Sequence, residues 1–358
     1  MAQDPIWIVQ TSFVGDCVLS LPFVHELARS FPETPLVIVT QPGIQKSLFE
    51  TALERGLAPL ASRTRLVTLD KRGTEKSIWG LRRWADRVKS ESGAGPSRVF
   101  CLQRSFRTGL LAVLSGAEER IGFASGAASF LYTRAVRRTW EQGEHEIEKN
   151  LDLLRAVLPE SKIAPWRGLD RPSLLAAPVR PQRAPDRAAL ALGSPWPTKR
   201  WPVENAIELC RKWSDQGVEV KLIGDPSARV IAQQIKAVVP SRLIEDHVGQ
   251  TSMKEWVDIL DSSAVLVSGD SASVHVASDL AVPVVGLFGP TIPEFGFAPW
   301  RTNSSVLQTP DLVCRPCSIH GPKRCPLGHH KCLKNIGAEQ VLGATKTHLL
   351  MDPLGKRL

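Results

Sequence analysis

The sequence predicts an α/β fold made of two consecutive domains with parallel sheets. Three observations point there. Short β-branched runs alternate with stretches of helical spacing along the chain, the pattern of βαβ units. At 358 residues the chain is about two to three times the common domain size. A segment with five prolines and mixed charge, residues 164–187, separates two such series, a composition suited to an inter-domain connection.

The first series opens with IWIVQ (6–10), a strand, followed by the loop TSFVGD and by CVLSLPFVHELARSF with helical spacing. PLVIVT (35–40), RLVTLD (65–70) and RVFCLQ (98–103) read as further strands, and LRRWADRVK as a solvated helical face. The second series begins with the strand AALALG (188–193). VENAIELCRKWSDQG (203–217) is a helix with Pro202 before it and Gly217 at its stop, a good pair of boundary signals. VEVKLIG (218–224), AVLVSGD (264–270) and VPVVGLFG (282–289) are strands, with SARVIAQQIKAVV and MKEWVDILDSS as helices. The expected domains are therefore 1–170, a linker at 171–187, 188–340, and a C-terminal helix and tail at 341–358. No solenoid repeat or low-complexity tract interrupts them. In open parallel sheets ligands bind beyond the C-terminal strand ends, and pockets favour domain interfaces, so the loops after the strands are the places to look.

Composition narrows the class. Hydrophobic residues at 43% and charged residues at 23% are ordinary for a globular protein and exclude wholesale disorder. No run approaches the roughly 20 apolar residues needed to cross a bilayer, and MAQDPIWIVQ lacks the basic start of a signal peptide, so a cytoplasmic protein is expected. The formal charge is +9, and residues 60–140 hold 16 Lys/Arg against 6 Asp/Glu. Such a concentration suits a polyanionic partner, whether nucleic acid, an anionic membrane surface or a phosphorylated substrate, as well as a solvated helical face. Seven cysteines, an odd number in a long chain, argue against a secreted disulfide scaffold.

Four motifs carry the chemistry. VGD (14–16) follows the first strand. Asp16 there is either a helix N-cap or a general base able to take a proton from an acceptor hydroxyl. GSPWPTKRWP (193–202) places Ser194, Thr198, Lys199 and Arg200 before a helix, a set suited to a phosphate or diphosphate, without the glycine spacing of a Walker loop. SGDSASVHVASD opens at a strand end, where Asp270 or Ser271 can cap the next helix and His275 lies a turn inside it, again favouring an anion. Last, Cys314, Cys317, Cys325 and Cys332 lie in CRPCSIHGPKRCPLGHHKC. Their arithmetic fits a structural metal, free thiols or a redox-sensitive disulfide, and the free-thiol reading is preferred here.

In this order the motifs VGDCVLSLP, WPTKRWP, SGDSASVHVASDLAVPVVGLFGPTIPEFGFAPW and the C-x-x-C segment ending CLKNI resemble the ADP-heptose–lipopolysaccharide heptosyltransferases, glycosyltransferase family 9. The heptosyltransferase II type looks most similar, through PEFGFAPW and CPLGHHKC. The resemblance runs from Ile6 to about residue 345. It implies the GT-B fold, two Rossmann-like domains with parallel sheets facing across a cleft, the N-terminal one taking the acceptor and the C-terminal one the nucleotide sugar. It implies Asp16 as catalytic base, Ser194, Thr198, Lys199, Asp270, Ser271, Ala272 and His275 on the donor diphosphate side, and Asp225 at the ADP ribose. Ala272 stands where the family pattern has glycine. LQRSFRTGLLAVLSGAEERIGF is similar to the acceptor side, which makes Arg104, Arg107 and Arg120 candidates for acceptor phosphates or Kdo carboxylates, with structural salt bridges as the competing role for each.

The expected reaction is inverting transfer of L-glycero-D-manno-heptose from ADP-heptose to a lipopolysaccharide inner-core precursor, with no cofactor and no metal required. The expected setting is the anionic cytoplasmic face of the inner membrane. A family 9 transferase with another sugar or acceptor is the first alternative. A basic nucleic-acid-binding protein is the second, disfavoured by the lack of any helix-turn-helix, RRM or zinc-finger pattern and by few aromatic residues.

Overall fold

A computed structural model describes residues 4–124, 128–137, 143–159, 162–166 and 171–349. The chain divides into two compact units, Met1–Trp166 and Arg167–Leu358. Residues 167–170 of the expected boundary, and 350–358 of the expected tail, lie outside the described residues.

The first unit contains β1 (Ile6–Val9), α1 (Val14–Ser30), β2 (Leu36–Thr40), α2 (Ile44–Glu54), β3 (Thr64–Thr68), α3 (Ile78–Ser92), β4 (Arg98–Cys101), α4 (Phe106–Leu114), β5 (Glu119–Phe123), β6 (Arg134–Val136) and α5 (Glu146–Arg155). Its six strands are parallel in the order β3-β2-β1-β4-β5-β6. β1 and β2 are buried throughout, as continuous apolar runs must be when helices cover both faces of a sheet. Trp7 on β1 meets Trp84 on α3 edge to face at 6.0 Å, and the indole N–H of Trp84 donates to the Thr68 carbonyl at 2.8 Å.

The second unit contains β7 (Ala184–Ala191), α6 (Val203–Asp215), β8 (Glu219–Ile223), α7 (Arg229–Val238), β9 (Ile244–Asp246), α8 (Met253–Asp261), β10 (Ser263–Gly269), α9 (Ala272–Asp279), β11 (Val284–Leu287), β12 (Ser304–Leu307), α10 (Lys331–Lys334) and α11 (Ala338–Thr345). Its strands are parallel in the order β12-β11-β10-β7-β8-β9. Counted from its own first strand this is the same doubly wound order as in the first unit. Each sheet therefore has one point where successive crossovers turn in opposite directions, between β1 and β4 and between β7 and β10. A crevice opens at such a point beyond the strand ends.

The proline-rich segment does more than connect. Asp279, at the end of α9, is fully buried and accepts hydrogen bonds from the Ser173 hydroxyl at 2.8 Å and from the Leu174 and Leu175 N–H groups at 2.9 Å. Arg183 donates to the carbonyls of Leu280 and Ala281 at 2.7 and 2.9 Å. Residues 171–183 are thus fixed to the second unit, and β7 begins at Ala184, inside the expected linker. Proline spacing conceals this because these bonds use backbone groups and arginines, which carry no local periodicity. At the other end, α11 packs on α6, with Leu333, Ile336 and Val341 in the second core and the Trp201 indole donating to the Ile336 carbonyl at 2.8 Å.

Candidate active site

VGD follows β1, GSPWPTKRWP follows β7 and SGDSASVH follows β10, so these three motifs lie beyond the strand ends at those topological switch points. In the first unit the loop after β1 is held by amides. Gln103, in the loop after β4, accepts from the Ser12 hydroxyl at 2.7 Å and donates to the Thr11 hydroxyl at 2.6 Å and to that of Thr108. Gln41, just past β2, donates to the Thr11 carbonyl at 2.7 Å. This loop delivers the chain into α1 at Val14, with Phe13 as N-cap residue. Asp16 is therefore not the N-cap. It occupies the third helical position, and its carboxylate reaches back to accept the Phe13 N–H at 3.2 Å, half of a capping-box arrangement. That contact engages one carboxylate oxygen, Oδ2, in the first turn of a 17-residue helix.

Lys71, in the loop after β3, joins this region and was not singled out by the sequence. Its ammonium donates to the Thr11 carbonyl at 2.7 Å. Burial, reinforced by the nearby Arg107 charge, lowers its pKa to about 8. Burial and the Asp16 charge push the adjacent Cys17 thiol far above the ordinary thiol range, so Cys17 is an inert core residue. Nothing in the local sequence marks Lys71, because its shift comes from neighbours distant in the chain.

The three acceptor-side arginines separate. Arg104 is exposed in the loop after β4. Arg107, on the first turn of α4, donates to the carbonyls of Lys71 and Glu75 at 3.2 and 3.3 Å and so braces the turn carrying Lys71. Arg120 lies elsewhere. Strand register sets it level with Val99 and hence with Trp7, near the strand starts rather than their ends. Its guanidinium is taken up by the Leu131 and Ala117 carbonyls at 3.0 and 2.9 Å. The structure gives it the structural role and does not bring it to Asp16.

In the second unit the predicted donor residues converge. The Lys199 ammonium lies 2.5 Å from Oδ2 of Asp270, and the Thr291 hydroxyl donates to the same oxygen at 2.7 Å. All three side chains are largely buried. The approach is possible because residue 269 is glycine: a Cβ there would lie 2.4 Å from the Lys199 carbonyl. Similarly, a Cβ on Gly193 would lie 2.7 Å from a carboxylate oxygen of Asp225, which brings Asp225 beside the Ser194 loop. Asp225 caps its own short turn, accepting the Ser227 N–H at 2.8 Å. The Ser194 hydroxyl accepts the Trp196 N–H at 3.1 Å, and Arg200 donates to the Ser194 carbonyl at 2.9 Å.

Of the two candidate caps for α9, Ser271 is the one used: its hydroxyl accepts the Ser273 N–H at 3.3 Å and meets the Ser268 hydroxyl at 2.9 Å. Ala272 is the first helical residue. His275 is buried, with its ring 6.2 Å from that of Phe297. Together these residues present a lysine, hydroxyls and a helix N-terminus at one strand edge, the chemistry of a diphosphate site.

The cysteine-rich segment covers this loop. The Thr198 hydroxyl donates to the Pro322 carbonyl, the His330 ring meets the Thr198 carbonyl at 2.7 Å, and Lys323 donates to the Pro195 carbonyl at 2.8 Å. His320 stacks on Trp196 with centroids 6.1 Å apart. None of the seven cysteines is disulfide-bonded, and Cys314 Sγ lies 3.9 Å from Nε2 of His329. Burial, with the neighbouring Cys317, raises Cys332 to about 11. Burial also acts to raise Cys325, but the N–H groups of His330, Leu327, Gly328 and His329 outweigh it and lower its pKa. Among the described residues no group of three or more His, Cys, Asp or Glu is arranged to hold a metal ion.

The profile of glycosyltransferase family 9 (heptosyltransferase) matches residues 96–325. The lipopolysaccharide heptosyltransferase 1 of Pseudomonas aeruginosa is 28% identical, over 95% of this chain and 94% of that protein. Among solved structures, a family 9 glycosyltransferase from Veillonella parvula superposes with a TM-score of 0.77 at 21% identity, covering 98% of this chain and 99% of that one. The Escherichia coli ADP-heptose heptosyltransferase II superposes with a TM-score of 0.72 at 19% identity, covering 97% and 98%. These likenesses establish the GT-B architecture expected from the sequence. With its family profile spanning well over half its length, the chain belongs to glycosyltransferase family 9 and is a glycosyltransferase.

Proposed function

We propose that the enzyme moves L-glycero-D-manno-heptose from ADP-heptose to a lipopolysaccharide inner-core precursor of the heptosyl-Kdo-lipid A type, with inversion at the anomeric carbon. The observation that carries this reading is the convergence of Lys199, Asp270, Thr291 and the Ser271-capped start of α9 at one strand edge, in a chain whose family profile is that of heptosyltransferases.

In this reading Lys199 and the N–H groups at the start of α9 hold the diphosphate and stabilise its growing charge as the bond to the sugar breaks. Asp270 holds Lys199 in place, and Thr291 fixes the carboxylate that does so. Asp16 takes the proton from the acceptor hydroxyl as its oxygen attacks from the face opposite ADP. Inversion follows from that single displacement, through a transition state with oxocarbenium character as in glycoside hydrolysis. The donor is the only small molecule needed. The acceptor is lipid-anchored, which puts the working enzyme on the anionic cytoplasmic face of the inner membrane, and no helix among the described residues is long and apolar enough to cross that membrane.

Incubation with ADP-heptose and a deacylated inner-core acceptor tests the proposal. The expected product is heavier by one heptose and has the anomeric configuration opposite to the donor's. ADP binding without heptose transfer would reject the sugar or the acceptor, and a retained configuration would reject the single displacement.

A further inference from the structure

The first unit exposes large apolar side chains at the same strand edge as Asp16. Trp79 is 72% and Phe130 75% exposed, and Ile78 and Phe106 are exposed beside them. Ile78 and Trp79 open α3 and Phe106 opens α4, and both helices start at the C-terminal ends of the strands. Phe106 and Phe130 lie 6.4 Å apart by ring centroid. Arg107, next to Phe106, donates to the Lys71 and Glu75 carbonyls, which joins the start of α4 to the turn leading into Ile78 and Trp79. Leu131 and Ala128 pack so closely on α4 that a Cβ at Gly109 would meet them at 2.9 and 3.1 Å, which fixes the segment carrying Phe130 to the same helix.

The surroundings are basic. Arg72 and Lys76 are exposed on the turn before α3, and Arg82 and Arg83 lie a turn beyond Trp79; Asp86, 3.8 Å from Arg82, is the acidic residue among them and leaves the group with a basic excess. An apolar tip ringed by arginines and lysines matches the interfacial region of a bilayer. Trp sits at headgroup depth, aliphatic groups enter below it, and long basic side chains reach anionic headgroups while their stems stay in the apolar layer. Four side chains this size, protruding rather than lining a groove, do not suit a small ligand.

We propose that Ile78, Trp79, Phe106 and Phe130, with Arg72, Lys76, Arg82 and Arg83, are the face by which this enzyme docks on a bilayer containing anionic lipid. This rests on the lipid-anchored acceptor proposed above and assigns the surface that meets it. The face shares the strand edge of Asp16, so docking brings a headgroup-borne hydroxyl toward the base.

The test is co-sedimentation of the full chain with phosphatidylglycerol-containing vesicles and with pure phosphatidylcholine vesicles, at low and high salt. The wild type is expected to bind the anionic vesicles, more weakly as salt rises. Arg82→Glu with Arg83→Glu should weaken low-salt binding at least about tenfold, each basic residue being worth about fivefold near such a surface. Ile78→Ser with Trp79→Ser should weaken binding by about tenfold at both salt concentrations. Both variants should keep wild-type circular dichroism and wild-type transfer to a deacylated acceptor. Wild-type binding by both variants would overturn the assignment of this face while leaving membrane association standing. A wild type that binds no vesicle would overturn membrane docking itself, with transfer to the soluble acceptor unaffected. If the apolar variant instead turned an oligomer into a monomer with vesicle binding unchanged, the face would be a contact between copies of the chain and the proposal would fail.

Discussion

Lys199 and Asp270 form an ion pair of 2.5 Å between the loop after β7 and the end of β10, with both side chains about nine-tenths buried. A buried pair of this kind is a weak source of net stability, but losing one partner leaves an uncompensated charge. In the proposed function the pair holds a cation where the donor diphosphate binds.

Lys199→Ala should therefore weaken ADP binding by about 10- to 100-fold, the worth of a lost charge-assisted hydrogen bond, as read by calorimetry. Asp270→Asn keeps the ammonium but loosens its position, and should give a smaller loss of affinity. Equal ADP affinity in wild type and Lys199→Ala would remove Lys199 from the donor site.

Lys71 should titrate near neutrality. Burial and Arg107 place its pKa at about 8, below the ordinary lysine value. The sign follows from proton counting: between about pH 8 and the unfolded lysine value, the unfolded chain binds the extra proton, so stability rises with pH in that window. Below pH 8 both states are protonated and the burial penalty is fully present. Carbon-13 methylation of lysines and NMR titration should show one resonance moving near pH 8 that Lys71→Met removes. A set of lysine resonances all titrating above pH 10 would contradict this.

Gln103 ties Ser12, Thr11 and Thr108 together beneath the start of α1. Gln103→Leu leaves these hydroxyls without that partner in a buried setting. The expected cost is about 1–3 kcal/mol of stability, measured by denaturant unfolding, with kcat falling more than KM rises because Asp16 loses its support. Unchanged kcat would show that the amide network does not position the base.

Asp279 gathers the Ser173 hydroxyl and the Leu174 and Leu175 N–H groups in a buried site. Asp279→Ala should lower stability by about 3 kcal/mol, since it strands several buried donors at once. It should also make the 171–183 segment more sensitive to limited proteolysis. Protease resistance equal to wild type would contradict the clamp.

Much of the fold was legible in the sequence because buried parallel strands are written as unbroken apolar runs: IWIV, LVIV and AVLVSG each lie within an observed strand and its C-terminal bounding residue. β5, β6, β9 and β12 were not assigned. Their sequences, ERIGF, RAV, IED and SSVL, are short, polar or glycine-containing, and pairing with an existing sheet rather than propensity makes them strands. Ser194, Lys199 and Asp270, read as a donor side, could be picked out because they lie in the loops that follow the apolar strands β7 and β10. Thr291, Gln103 and Lys71 were not singled out, since an uncharged hydroxyl, an amide and one basic residue among many have no distinguishing local pattern. Arg120 sits on β5, one of the unassigned strands, and the pairing register that sets it near the strand starts is not written in the sequence.

The central claim is a division of labour, with the proton taken in the first unit and the diphosphate held in the second. Parallel measurement of heptosyl turnover and ADP affinity in Asp16→Asn tests it most directly. The account predicts turnover lower by about 10²- to 10⁴-fold, the contribution of a general base, with ADP affinity within about twofold of wild type. Near-normal turnover in this variant, or a loss of ADP affinity as large as the loss of rate, would contradict it.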